Sequence, residues 1–372
     1  ERSETTRNMK YAIIIPDGAA DVPLDELDGQ TPLARADLPN MDAIASQGRC
    51  GTVCNIPKSL PCGSDVAIMS VMGYDPMEHY TGRAPLEAAA QNLKVDPDQW
   101  IFRCNLVTMI DSVMEDYSAG HIRNEEANKL IDALNLRLAS DELTFYKGVS
   151  YRHLMTLRGD CKVKTTPPHD FIGRKASRYQ PKGQDAKKLR KIMARAAEIL
   201  VDHEVNTVRT DLDENPANAI WLWGQGKMPH LPLFAKRFGL SGAAITGVDL
   251  VRGLAGLIGW DIIEVDGATG YLDTNYAGKG AAAVEALDKY DLVFVHVEAP
   301  DEAGHNADPH AKVEALQQID THIVAPVLDR LKTEGDDWRI LLLPDHPTPC
   351  TLRTHTRQAV PFALAGKHTA GI

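Results

Sequence analysis

The chain has 372 residues, a formal net charge of −11 and 44% hydrophobic residues. That length can bury a large core and suits two domains. The acidic balance argues against a nucleic-acid binder, whose footprint is basic, and no apolar run nears the ~20 residues that span a bilayer.

Glu1 to Asn8 are polar and precede Met9, a natural start, so they read as a tag remnant or an extension. Tyr11 to Pro16 reads as an apolar strand that releases Asp17 and Gly18. Leu38 to Gln47 is a short helix, with Pro39 near its start and Gly48 at its end. Thr52-Val53 begins a short strand. Ser64 lies at or just before the start of an apolar helical run, Val66 to Gly73. Leu86 to Leu93 is helical.

From about residue 111 the character changes. Asp111 to Asp116 resembles a turn between strands. Asn124 to Leu138 has apolar residues at 127, 130, 131, 134 and 136, close to helical spacing. Leu143 to Tyr146 and Tyr151 to Leu157 read as strands flanking Lys147-Gly148. Gln184 to Val205 reads as one long, basic, amphipathic helix, and Asp211 to Asn218 as a polar linker.

From Ala219 strands and helices alternate again: Ile220 to Trp223, Gly242 to Thr246, a helix over Asp249 to Ile258, a strand from Ile262 to Val265, and a helix over Gly280 to Lys289. That alternation predicts an α/β fold with a doubly wound core in two pieces, 9–110 and 216–372. An α+β domain, 111–215, is inserted between them.

Two further apolar strands end near prolines and release acidic residues. Asp291 to Val297 leads to Pro300 and Asp301, with His305 four residues later. On a helix, positions four apart share a face, so carboxylate and imidazole would converge. Arg339 to Leu343 stops at Pro344 and delivers Asp345 and His346 side by side, with His355 nine residues after His346. Ligand sites in open α/β sheets gather beyond the carboxyl ends of the strands. Oxygen and imidazole donors suit a divalent transition metal. The plain reading of each segment is a solvated turn; three together favour a metal site. Ser64 reads either as a helix cap or as a nucleophile placed where a helix start favours anions.

The six cysteines show no paired framework, and the chain has no secretory signal pattern, so reduced thiols in a cytoplasm are expected. Cys50 and Cys54 lack the further ligands of a zinc finger. His79, His153, His203, His230, His310 and His322 have no companion at ligand spacing; His169, beside Asp170, is set apart for testing. Trp221 and Trp223 read as core or pocket wall.

The chain resembles the alkaline phosphatase superfamily, and more closely the archaeal-type cofactor-independent phosphoglycerate mutases. The resemblance rests on Ile15-Pro16-Asp17-Gly18-Ala19-Ala20-Asp21, Thr31-Pro32-Leu33, Leu38-Pro39-Asn40-Met41-Asp42 and Gly63-Ser64-Asp65. It continues through Gly73-Tyr74-Asp75-Pro76, Tyr80 to Glu87, Ser118-Ala119-Gly120-His121-Ile122, Trp221 to Gly226 and the Asp301 and Asp345 segments. It covers the chain from about Met9 to the end, although the family usually continues beyond Pro361 to Leu364 for longer than this chain does.

The resemblance implies two divalent ions, manganese or zinc first, magnesium or cobalt after. One would take Asp301, His305 and His355; the other would take Asp17, Ser64, Asp345 and His346. It implies interconversion of 2- and 3-phosphoglycerate through phosphorylated Ser64, with the inserted domain as a lid that excludes water. A substrate carboxylate and phosphoryl need cations, and the candidates are Arg123, Arg152 and Arg174, with His121 and Asp170 nearby. Lys279 resembles a phosphate-contacting lysine of the family. The expected partner is a small phosphorylated substrate, with neither nucleic acid nor membrane; homo-oligomerisation is left open. The alternatives are a homoserine kinase-like phosphotransferase and a phosphomonoester hydrolase on the same metal set.

Overall fold

The computed structural model describes residues 9–369, so the reading of Glu1 to Asn8 lies outside the described residues. In chain order the strands are β1 (Lys10–Pro16), β2 (Arg49–Val53), β3 (Gln99–Ile110), β4 (Val113–Asp116), β5 (Leu143–Val149) and β6 (Arg152–Arg158). They continue with β7 (Ala219–Gly226), β8 (Gly242–Ile245), β9 (Asp261–Ile262), β10 (Leu292–Val297), β11 (Trp338–Leu342) and β12 (Val360–Gly366).

Two units divide the chain. One runs up to Tyr80 and resumes at His230; the other is the continuous stretch Thr81–Pro229. The first holds a seven-stranded sheet in the order β2-β12-β11-β1-β10-β8-β9. Strands β11, β1, β10, β8 and β9 are parallel neighbours, and β12 pairs antiparallel with both β11 and β2. Every residue of Leu292–Val297 is buried. That fits a parallel strand covered on both faces by helices. Ile14, Val295, Leu316 and Leu331 belong to the resulting core.

The second unit holds a five-stranded sheet, ordered β4-β3-β6-β5 with β7 also on β3. Its helix Asn124–Leu138 begins and ends where the spacing predicts, and buries Ala127, Leu130, Ile131 and Leu134. Leu136, also counted into that stripe, is 86% exposed. Phe102, Leu106, Phe171 and Trp221 join the helix in this unit's own core.

Further expectations differ from the structure: Thr52-Val53 ends the strand Arg49–Val53 instead of beginning one. The boundaries fall at Thr81 and Pro229 instead of near 110 and 216. The cause is pairing: β3 and β7, which lie within the pieces 9–110 and 216–372, are antiparallel neighbours over Val107↔Ala219 to Ile101↔Gly226. The long helix over Gln184 to Val205 is two helices, Ala186–Leu200 and Glu204–Asp211. His203 separates them, because its ring accepts from the Val205 backbone N–H at 3.2 Å and caps the second. The strand over Ile262 to Val265 shortens to Asp261–Ile262. Among the described residues no helix is long and apolar enough to cross a membrane.

Candidate metal centre

Strands β11, β1 and β10 lie side by side and run the same way. Register aligns Ile14 with Leu342 and Pro16 with Val297. Asp17, Asp345 and the segment leading to Asp301 therefore leave the sheet at one level. All three aspartates are buried, at 0%, 1% and 4% exposure. The helix Ala299–His305 then sets Asp301 and His305 one turn apart.

Asp301 Oδ2 lies 3.2 Å from His305 Nε2, and Asp301 Oδ1 lies 3.4 Å from His355 Nε2. The two imidazole Nε2 atoms are 2.9 Å apart. On the other side, His346 Nε2 lies 3.3 Å from Asp345 Oδ2 and 3.6 Å from Asp17 Oδ1. Ser64 opens the helix Ser64–Val71, and Gly63 is its cap residue. The Ser64 hydroxyl instead faces His346 Nε2 at 3.0 Å and Asp17 Oδ2 at 3.4 Å. So Asp17, Ser64, Asp301, His305, Asp345, His346 and His355 are all brought together.

The electrostatics describe an unbalanced cluster. Burial, with the Asp345, Asp301 and Glu298 carboxylates, pushes Asp17 well above the usual carboxylate range. Burial also opposes ionisation of Asp301, but the His305 and His355 contacts outweigh it and hold Asp301 well below that range. The Asp301 hydrogen bond pushes His305 up to about 9. Burial lowers His346. Asp17 Oδ1 and Asp345 Oδ2 are buried without a hydrogen-bond partner among the described residues. Buried carboxylate oxygens without donors are costly. Oxygens and imidazole nitrogens beside them form the donor set of a divalent transition ion.

Among the described residues, three groupings bring ligand atoms within 4.8 Å of one another: Asp301 with His346 and His355, Asp17 with Asp345 and His346, and Asp17 with His296 and Glu298. The third contains residues the sequence reading left unassigned. His296 Nε2 lies 2.9 Å from Asp17 Oδ2, and His296 Nδ1 lies 3.3 Å from Thr246 Oγ1. Its signal was a histidine inside a wholly apolar strand. Thr348, also unassigned, contacts both Asp301 and His346. Lys279 is fully buried, and its Nζ finds no hydrogen-bond partner among the described residues. Burial pulls its pKa down to about 8, against the upward pull of Glu298.

The candidates in the second unit separate into two sets. His121 lies edge-on to Tyr151 at 5.9 Å, and the Arg152 guanidinium is 6.0 Å from the same ring. Tyr117 meets both Tyr151 and His169, and His169 meets Trp223. Arg103, buried in β3, lies 4.2 Å from the Trp223 ring and 3.0 Å from Glu87. An arginine inside the apolar run Ile101 to Cys104 was the signal for it. Asp170 is 3.8 Å from the ring nitrogen of His169. Arg123 and Arg174 are engaged elsewhere, with Glu126 at 3.1 Å and the Tyr179 hydroxyl at 3.2 Å.

This architecture is that of an α/β enzyme, with groups fit for divalent metal at the carboxyl edge of its large sheet. Residues 45–206 match the family model of the 2,3-bisphosphoglycerate-independent phosphoglycerate mutase. A curated protein of that description from Methanothrix thermoacetophila is 49% identical over 96% of this chain and 91% of its own length. A solved Pyrococcus horikoshii protein superposes with a TM-score of 0.80 at 31% identity, over 96% of this chain and 88% of that one. The cofactor-independent phosphoglycerate mutase of Thermoplasma acidophilum gives 0.63 at 26% identity, over 96% and 90%. The chain belongs to the family of 2,3-bisphosphoglycerate-independent phosphoglycerate mutases, which are isomerases. The relatives do not favour the homoserine kinase-like or hydrolase alternatives.

Proposed function

We propose that this chain interconverts 2-phosphoglycerate and 3-phosphoglycerate through phosphorylated Ser64. The observation that carries the reading is the Ser64 hydroxyl, held at a helix start between His346 and Asp17, beside carboxylate oxygens that lack a hydrogen-bond partner among the described residues. Asp301, His305 and His355 would hold one divalent ion, and Asp17, Ser64, Asp345 and His346 the other. Manganese or zinc fits the mixed oxygen and nitrogen donors best. Such ions, when bound, lower the serine pKa and stabilise charge on the transferring group.

Ser64 Oγ attacks phosphorus, and the bond from phosphorus to the substrate oxygen breaks. Glycerate is left beside phosphoserine. It turns so that its other hydroxyl attacks the same phosphorus, which restores Ser64 and releases the isomer. Lys279 is the candidate cation for the phosphoryl oxygens, since its ammonium is buried without a hydrogen-bond partner among the described residues. In the second unit, His121 and Arg152 beside Tyr151 have the chemistry to hold an anion on that unit's surface.

An enolase-coupled assay with 3-phosphoglycerate and Mn²⁺, without 2,3-bisphosphoglycerate, tests the reading. Turnover is expected, with loss on chelation. Ser64→Ala should abolish it while metal binding largely survives. No turnover with metal present, or full activity in Ser64→Ala, sinks the proposal.

A further inference from the structure

Thr348 lies three residues beyond Asp345 and is fully buried. Its Oγ1 donates a hydrogen bond to Asp301 Oδ1 and lies 3.3 Å from His346 Nδ1. Asp301 and His346 belong to different proposed ligand sets. One hydroxyl therefore touches both.

A threonine hydroxyl has one proton to donate and lone pairs to accept with. Asp301, flanked by the imidazoles of His305 and His355, is a carboxylate and can only accept. The Thr348 proton is thus committed to Asp301. What Thr348 offers His346 is a lone pair, so His346 Nδ1 must carry the hydrogen. Nε2 is then left unprotonated. That is the nitrogen aimed at Ser64 Oγ, Asp345 Oδ2 and Asp17 Oδ1. We infer that Thr348 is a positioning residue that joins the two ion positions through one hydroxyl and fixes the ligating face of His346.

The packing keeps this hydroxyl in place. A Cβ at Gly18 would fall 2.6 Å from Thr348 Oγ1 and 2.6 Å from Asp301 Oδ1. Gly18 also has φ +61°, which favours glycine. A Cβ at Gly304 would fall 2.4 Å from the Thr348 carbonyl and 2.9 Å from its methyl group. The Lys312 ammonium holds the same carbonyl at 2.8 Å. Thr348 is seated by two glycines and a lysine, so its hydroxyl has no slack to turn away. Outer residues that orient ligands in this way tune metal affinity.

The inference rests on the two-ion reading, and the experiment separates the two. The metal-free full chain is titrated with Mn²⁺ by calorimetry, as wild type, Thr348→Val and Thr348→Ser. Wild type should bind two ions per chain. Thr348→Val should weaken both by about 10- to 100-fold, and Thr348→Ser should stay within about 3-fold of wild type. No Mn²⁺ binding by wild type overturns the two-ion reading, and this inference with it. Two ions bound by wild type, with Thr348→Val unchanged or weakened at one ion only, overturns the bridge alone. Nitrogen-15 NMR of His346 in the metal-free wild type gives a second arm that does not depend on how the variant folds. The Nδ1–H tautomer is expected, and the Nε2–H tautomer refutes the bridge.

Discussion

Lys312 and Lys279 are both withdrawn completely from solvent within the same unit, and their surroundings treat them in opposite ways. Lys312, on the helix Pro309–Ile319, donates to Asp21 Oδ2 and to the Thr348 carbonyl, each at 2.8 Å. Asp21 also accepts from the Cys350 backbone N–H at 3.1 Å. This ion pair ties down the segment that carries Asp345, His346 and Thr348. Lys279, on the helix Tyr276–Lys289, has no hydrogen-bond partner for its Nζ among the described residues. A buried ammonium normally finds a partner or gives up its proton. The difference separates a charge committed to structure from a charge kept available for an anion.

Breaking the first region should have the largest effect. Lys312→Met leaves Asp21 buried without its cation and should cost about 3–5 kcal/mol by chemical denaturation. A loss below about 1 kcal/mol would mean the pair is not holding the segment. Lys279→Met should do the reverse: it removes an unpartnered buried cation, so stability should hold or rise. Turnover in the coupled assay should fall about 10²- to 10³-fold, the usual result of removing one donor to developing charge. A variant that loses stability but keeps its turnover would reverse the comparison.

An intermediate case sharpens it. His153, buried in β6, accepts from the Gly148 backbone N–H at 3.0 Å through Nδ1, while its Nε2 finds no hydrogen-bond partner among the described residues. Burial pulls its pKa from 6.5 down to about 4. As pH falls, the unfolded chain takes the proton first. The stability contribution is therefore full above pH 6.5 and drains away between 6.5 and 4, by on the order of 3 kcal/mol. Urea midpoints across that range should fall less steeply in His153→Phe than in wild type. Equal slopes would show that His153 is not the group responsible.

The sequence exposes the grouping of the candidate ligands more fully than the fold's partition. Strand ends marked by prolines, each releasing an aspartate, are local signals, and local signals survive in a single sequence. The Asn124–Leu138 helix was legible for the same reason, because its buried positions repeat at helical spacing. Which sheet a strand joins is not local. Nothing within Gln99–Ile110 says that it will pair with Ala219–Gly226, and the unit boundary moved accordingly. His203 ends one helix and starts another with no glycine or proline to announce it. His296 reads as core until its Nε2 is seen against Asp17. Arg123, Arg152 and Arg174 look alike as letters; only the neighbours supplied by folding, Glu126, Tyr151 and Tyr179, tell them apart.

The adjacency of β1 to β11 has a consequence in time. Lys10 pairs with Trp338, and Ile14 with Leu342. During synthesis β1 emerges early but cannot pair with β11 until nearly the whole described chain has followed. Such distant contacts form slowly, because the intervening chain must close a long loop. The continuous unit Thr81–Pro229 is available to fold in the interval. Asp17 reaches its place beside Asp345 only at the end of that order. A nascent chain should therefore bring Asp17 and Asp345 together after its second unit is already structured.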